Sequence, residues 1–426
     1  MQTREPRRAG EPRPQRAHDA PPVSDGVAGI VLAGVHAWGD SAFERVTCRP
    51  LVPVATRPLV GHALAWLRRG GVAHAVVCAN SDTAALHRAL GAGDAYGMSL
   101  QYYEDVMPRG PAGCARDAAL TGDADTLVVV DGTVIPGIDL RRVLAQHVAS
   151  TVPLTVVAYR SESVCGGRDG EEQPTGIYVF DRSALIHVPD SGYHDIKENL
   201  IPALYRRGKR VGTYRVSDGA VARVTDAASY LSVNMWAVQD ALANGSLPVA
   251  YRPVGDAYVH ASARVDASVR FVGPVLVEAA CVIEPGAWLV GPTSLGVGCR
   301  VGAGAMVSRT ALWRGCRIGA GAIIDKCVFV DGTEAASDAA MRETVCIARR
   351  RAKRKWRRPG APARTPVDGY RPSGADAGGV TSDQPDRAAS ATAGDGTTGA
   401  PGDVTPGGPD GVVPDAAAGV ATQRPM

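Results

Sequence analysis

At 426 residues the chain is long enough for two domains, and its formal charge of +3 conceals a local asymmetry. No apolar run approaches the roughly eighteen residues of a membrane-spanning helix, and residues 1–25, rich in Arg, Pro and Ala, lack the apolar core of a secretory signal. Nine cysteines, an odd number with no C-x-x-C, argue against a disulfide framework or a zinc site and suit a reducing, cytoplasmic setting.

The first elements alternate. VAGIVLAG (27–34) predicts a buried strand, and PLVGHALAWLRRGG (58–71) a helix with Pro near its start and Gly after its end. A strand at 73–80 and a helix at 82–90 follow. SLQYYED (99–105), TLVVVDG (126–132) and PLTVVAY (153–159) predict further strands. Over 195–209, Ile196, Leu200, Ile201 and Leu204 share one helical face, with a bend at Pro202. This alternation predicts a mostly parallel α/β sheet with helices on both faces. Ligands of such sheets bind beyond the carboxyl ends of the strands, so the loops after Leu32, Asp105 and Val130 should surround any pocket.

In the second half the apolar period changes to six. Val259, Val265, Phe271, Val277, Ile283, Leu289, Leu295, Val301, Val307 and Trp313 follow one another at that spacing. The period fits neither a helix nor a plain strand and signals a repeat architecture. A hexad with glycine and small residues beside the apolar one predicts a left-handed parallel β-helix of hexapeptide repeats, three hexads to a triangular coil. Gly296, Gly302 and Gly319 suit its turns. After Trp313 the register slips by one and resumes at Ile318, Ile324 and Val330, which predicts a one-residue deletion in a turn. Cys281, Cys299 and Cys316 should stack on one edge, about 4.8 Å apart, as buried structural residues. His260 is the one histidine of the repeat region and could act as a general base if the β-helix were an acyltransferase. His194 and Asp195 are adjacent, but no Ser or Cys pairs with them as an activated nucleophile.

RRRAKRKWRR (349–358) carries eight basic side chains in ten, and the tail after it eight Asp against four Arg. The basic run suits an anionic surface or a solvated tether that meets the acidic tail. From Pro359 onward, Gly, Pro, Ala, Asp and Thr dominate and predict disorder. The expected map is a disordered 1–25, an α/β domain at 26–240, a linker at 241–256, the β-helix at 257–335, an extension at 336–348, the basic segment at 349–358 and a disordered tail at 359–426.

Several segments, in order, resemble motifs of the sugar-1-phosphate nucleotidyltransferases, most closely mannose-1-phosphate guanylyltransferase-like proteins. LAGVHAWGD (32–40) and CRPLVPVATRPL (48–59) are similar to that family's L-A-G-G-x-G-T-R-L and P-K-P-L-x-P-V. PRGPAGCARDA (108–118), VVVDGTVI (128–135), TGIYVF (175–180), DIKENLIPAL (195–204) and GAVARVTDAASYLSVN (219–234) resemble later family segments. The resemblance covers roughly residues 27–332. It implies a Rossmann-like nucleotidyltransferase domain joined to a left-handed β-helix. It also implies a reaction that moves a nucleoside monophosphate onto a sugar 1-phosphate and releases pyrophosphate.

On this resemblance the nucleotide side would comprise Leu32, Ala33, Gly34, Arg49, Gly110, Gly113, Asp131 and Gly132, and the sugar-phosphate side Glu172, Gly176 and Arg223. The chain departs from the family where the chemistry is charged. Val35 and Ala37 replace loop glycines, and the loop Arg falls on Gly39. The family Lys falls on Arg49, the one weak catalytic candidate. Its two magnesium-binding Asp fall on Thr133 and Arg223, with Asp131 and Asp226 displaced nearby. Glu171, Glu172, Gln173 and Pro174 resemble the E-K-P segment only loosely. No catalytic or metal site is therefore assigned, Asp131 being the sole metal candidate and Mg2+ the cofactor only if the protein is active. The expectation is a non-catalytic homologue that binds a nucleotide or NDP-sugar and regulates or scaffolds nucleotide-sugar biosynthesis, as a homo-oligomer or with an active relative. The alternatives are an active transferase with a rearranged metal site, or a hexapeptide-repeat assembly module or acyltransferase.

Overall fold

Seven strands form the N-terminal sheet, in the spatial order Val211–Val216, Leu154–Arg160, Glu172–Asp181, Thr126–Asp131, Val27–Leu32, His74–Ala79 and Ser99–Glu104. All neighbours run parallel except Glu172–Asp181, which is antiparallel to both strands beside it. The computed structural model describes residues 26–34, 43, 46–55, 57–80, 82–160, 172–243 and 247–347. The expectations for residues 1–25, the phosphate-loop positions Val35, Ala37 and Gly39, Glu171, the basic segment and the tail lie outside them.

The strand pattern places the core. Val128 and Val130 face one side of the sheet, with Leu64 and Leu67 of the helix Leu59–Arg69. Leu127 and Val129 face the other, with Ala112 and Ala115 of the helix Gly110–Ala119. That is the two-residue alternation of a strand buried on both faces. The predicted helix after Asp195 is broken. A wider helical turn spans Ile196–Leu200 and a regular one Ile201–Arg206, because Pro202 cannot donate to the turn before it.

From Tyr251 to Cys346 the chain visits three sheets in rotation, and beyond the opening hairpin each strand pairs in parallel with the strand three places later. One residue per turn of the chain points inward at each sheet, such as Val277, Leu295, Leu312 and Phe329, all at most 2% exposed. Two sequence expectations change here. The register slip lies before Trp313, not after it. Paired residues stand eighteen apart at Val275 and Thr293 but seventeen apart at Ser294 and Ala311, so the lost residue belongs to the corner between Ser308 and Ala311. Leu312 therefore takes the inward place, and Trp313 is turned out of the coil. Val330 likewise yields to Phe329. The glycines also serve a different purpose. Gly296 and Gly302 are not in the left-handed region; a Cβ there would fall 2.8 and 2.5 Å from the backbone of the next row. Their value is close stacking. Cys281, Cys299 and Cys316 do form a buried column of free thiols, one per row.

The outward Trp313 builds the seam with the α/β domain. Its ring stacks on Phe43 at 5.6 Å and meets Tyr230 edge-on at 5.9 Å. Its indole N–H donates to Tyr230 Oη at 2.7 Å, and Tyr230 Oη donates to the Pro53 carbonyl at 2.7 Å. One helical turn along the helix Ala227–Ala243, buried Asn234 accepts from the Ala55 N–H and donates to Ser294 Oγ. Each buried polar atom of this relay has a partner, and removing one leaves others stranded. Tyr230→Phe should cost about 1–3 kcal/mol, read as a lower urea midpoint; an unchanged midpoint would show the relay to be idle.

A second stability test follows from His62, whose Nε2 lies 3.1 Å from the Val54 carbonyl. Burial, with Arg57 and Arg69 adding to it, pushes its pKa down from 6.5 to about 4. The unfolded chain takes up this proton first, so stability falls as pH drops through that window. The wild type should lose about 3 kcal/mol more than His62→Gln between pH 6.5 and 4. Parallel curves for the two proteins would refute the assignment.

Candidate functional site

The strand order reverses at Val27–Leu32, which is flanked by the next strand on one side and by the returning Thr126–Asp131 on the other. Such a switch point leaves a crevice at the carboxyl ends of the strands. A cavity of about 620 Å3 occupies it.

Of the residues singled out from sequence, Leu32, Gly34, Arg49, Gly110, Asp131, Gly176 and Arg223 line this cavity. Ala33 is fully buried behind the wall, its N–H donating to the Cys78 carbonyl. Gly132 ties two strands together by donating to the Leu32 carbonyl at 2.8 Å. Gly113 and Glu172 are not in the lining; Glu172 pairs with Arg215 at the far end of its strand. His260 stays in the first row of stacked strands, bonded to Ser262 Oγ and edge-on to Tyr251.

The centre of the site is an ion pair. The antiparallel partner strands Val134–Pro136 and Val221–Arg223 bring Arg223 beside Asp131. Arg223 Nη1 donates to Asp131 Oδ2 at 2.6 Å, and its Nη2 to the Thr175 carbonyl at 2.8 Å. The other carboxylate oxygen, Oδ1, accepts from the Thr133 N–H at 2.9 Å and the Thr133 hydroxyl at 2.7 Å. Gly176 makes room for this. Its φ is +88°, and a Cβ there would lie 2.6 Å from Arg223 Nη2 and 3.0 Å from Asp131 Cβ.

Magnesium takes several oxygen ligands at fixed octahedral positions. The residues present do not fit it. Both oxygens of Asp131 are engaged, a guanidinium stands against one of them, and Thr133 adds no charge. Asp226 is spent elsewhere: its Oδ1 accepts from the Ser229 N–H at 2.8 Å, capping the helix Ala227–Ala243, and these bonds hold its carboxyl below the usual range. No group of three or more His, Cys, Asp or Glu among the described residues is placed to hold a metal ion.

The helix Gly110–Ala119 points its start at the cavity, but its first N–H groups are not free for a ligand. Those of Ala112 and Gly113 donate to the His194 carbonyl, at 3.0 and 3.4 Å. Gly110, at φ +73°, allows that approach; a Cβ would meet the His194 oxygen at 2.6 Å. The family-derived glycines thus seat a second loop on the helix.

Among the polar lining residues, Asn80, Tyr178 and Lys197 were not singled out in the sequence, and Asp105 was named only as the start of a pocket loop. Asp105 Oδ2 accepts from the Arg109 N–H at 3.0 Å and from Cys114 Sγ at 3.3 Å. Asp105 Oδ1 and Asn80 Oδ1 are buried and have no donor among the described residues. Two stranded acceptors in one cavity call for a ligand that carries N–H or O–H groups. Burial, with the Asp195 charge behind it, pushes the Tyr178 phenol up to about 12, so it stays protonated. The available signal was positional: Asn80 and Asp105 each follow the last residue of a strand.

Residues 44–164 match the family model described as nucleotidyl transferase. Over 180 residues the chain is 25% identical to a mannose-1-phosphate guanylyltransferase of Mycobacterium tuberculosis, covering 38% of this chain and 50% of that protein. Over 134 residues it is 29% identical to a glucose-1-phosphate thymidylyltransferase of Neisseria gonorrhoeae, covering 31% of this chain and 46% of that protein. The chain therefore spans about half the length of the curated relatives it matches.

The geometry makes Gly176 the residue on which the ion pair depends. Gly176→Ala should lower stability by about 1–3 kcal/mol through backbone strain and push Arg223 away from Asp131. A crystal structure or a thermal melt of the variant checks this. Retention of both the melting temperature and the pair would show that the glycine is not required.

Proposed function

We propose, for an α/β domain that belongs to the sugar-1-phosphate nucleotidyltransferase family, a ligand-binding role without catalysis. In this reading the cavity holds a nucleotide or a nucleoside diphosphate sugar, and the protein regulates or scaffolds nucleotide-sugar biosynthesis. The Arg223–Asp131 pair carries the proposal. Transfer of a nucleoside monophosphate to a sugar 1-phosphate is catalysed chiefly by positioning and by neutralising the charge on the transferring phosphate. A divalent cation supplies that charge when it bridges carboxylates and phosphates. Here one carboxylate is already neutralised by a fixed guanidinium, and a second is absent at Thr133. The stranded acceptors Asp105 Oδ1 and Asn80 Oδ1 support a ligand with the N–H edge of a nucleobase.

The proposal extends to the C-terminal half, which we assign as a left-handed parallel β-helix. Its support is the rotation through three parallel sheets with a repeat of seventeen or eighteen residues. It would present an association surface, for a second copy or an active relative. A cytoplasmic location agrees with eight free cysteines among the described residues. No helix among the described residues is long and apolar enough to cross a membrane.

Calorimetry with guanosine diphosphate mannose and deoxythymidine diphosphate glucose, with and without EDTA, tests the reading. Binding of equal strength in both conditions is expected, together with pyrophosphate release at least about 10²-fold below an ordinary enzyme's rate. Binding lost in EDTA, or turnover at about 1 per second or faster, would return the protein to the active transferases.

A further inference from the structure

Charged groups of both signs line the cavity, and most are committed. Arg223 is neutralised by Asp131. Asp195 Oδ1 accepts from the N–H groups of Lys197 and Glu198, at 2.6 and 3.1 Å. Lys197 lines the cavity, is exposed, and enters no ion pair among the described residues. It is thus a cation available to a ligand's phosphate.

Its position is fixed from an unexpected direction. Lys197 follows the loop 189–195, and that loop hangs on a buried arginine. Arg109 is 8% exposed. Its Nε donates to Asp117 Oδ2 at 2.9 Å, which orients the guanidinium. Its Nη2 then donates to the Pro189 carbonyl at 2.9 Å and its Nη1 to the Gly192 carbonyl at 3.2 Å. The Arg109 carbonyl accepts from the His194 N–H at 2.7 Å. Gly113 leaves room for it, since a Cβ would lie 2.7 Å from Arg109 Cβ. One residue therefore holds three points of the loop. It does so from the start of the helix that also borders Asp105, whose carboxylate accepts the Arg109 N–H. The two walls of the cavity are joined through Arg109.

We propose that Lys197 supplies the cation for the phosphate of a bound nucleoside diphosphate sugar, and that Arg109 is the positioning residue that places it. This rests on the reading of the cavity as a nucleotide-sugar site, and it names the group that replaces a metal in holding the phosphates. Arg109 touches no ligand; it acts through the loop. A flexible lysine at the end of a free loop would lose most of its contribution to rotamer and loop entropy, whereas a clamped loop presents it ready.

The test is a double-mutant cycle on the full chain, read by calorimetry with guanosine diphosphate mannose and deoxythymidine diphosphate glucose. Guanosine and thymidine, which carry no phosphate, serve as references. Lys197→Gln should weaken the sugar nucleotide about ten-fold, the order expected for a charge-assisted bond, and leave the nucleoside unchanged. Lys197→Arg should restore most of the loss. Arg109→Met should reproduce the phosphate-specific loss, and the double variant should lose no more than either single one. If Arg109→Met fails to fold, Arg109→Lys, which keeps the charge but cannot reach both carbonyls, takes its place in the cycle. Unchanged affinity in Lys197→Gln, or strictly additive losses in the double variant, would overturn the proposal while leaving the nucleotide-sugar site in place. A wild-type chain that binds neither sugar nucleotide would overturn both.

Discussion

At the centre of the crevice stands one bond, from Arg223 Nη1 to Asp131 Oδ2. The guanidinium is there because a two-stranded ribbon sets Arg223 opposite Val134, and because Gly176 has no Cβ to block it. The carboxylate is there because Thr126–Asp131 ends at the switch point of the sheet. Once they meet, the local chemistry changes sign. Where a metal site concentrates negative charge to draw a cation from solution, this one carries its own cation and is neutral. At a partly exposed pair such a bond contributes only about 1 kcal/mol to stability. Its consequence is electrostatic: it offsets the negative charge of Asp131, which would otherwise favour a divalent ion at that point.

The rest of the cavity adds polar groups of its own. The oxygens Asn80 Oδ1 and Asp105 Oδ1, which have no donor among the described residues, line the cavity together with Lys197. Arg109 joins the walls, donating its side chain to the Pro189 and Gly192 carbonyls and its backbone N–H to the Asp105 carboxylate. Such an arrangement depends on loop geometry: Asp105 is tied to the sheet through the Ala79 carbonyl, and the loop 189–195 is tied to Arg109.

A second dependence runs through Trp313. The corner between Ser308 and Ala311 is one residue shorter than its predecessor, and that single deletion turns the indole outward. There it meets Phe43 and Tyr230, and Tyr230 in turn holds the segment at Pro53. Arg49 lies in the same segment and lines the cavity. The strands of the second half are thus part of the support for the wall of the first.

Much of the architecture was legible in the sequence. The alternation of apolar strands and amphipathic helices specifies a layered α/β sheet, because a strand buried on both faces and a helix buried on one leave distinct periods. The six-residue period beyond Val259 specifies stacked short strands for the same reason: each apolar side chain must enter the same interior. These are local constraints, imposed residue by residue by burial. What only the tertiary structure decided is which groups meet. Asp131 and Arg223 are ninety-two residues apart, and nothing in their own segments tells that they pair. Gly110 lines the cavity and Gly113 does not, and both leave room for neighbours that sequence does not reveal, His194 and Arg109. Trp313 continues the hexad count but faces outward, because a count cannot locate a deletion to one side of a tryptophan or the other. Lys197 in the cavity lining and Arg109 buried against the loop 189–195 look like ordinary surface cations in a string of letters. Their positions are decided only in the fold, since the distance and direction of a charge are set by chain closure and not by the neighbours along it.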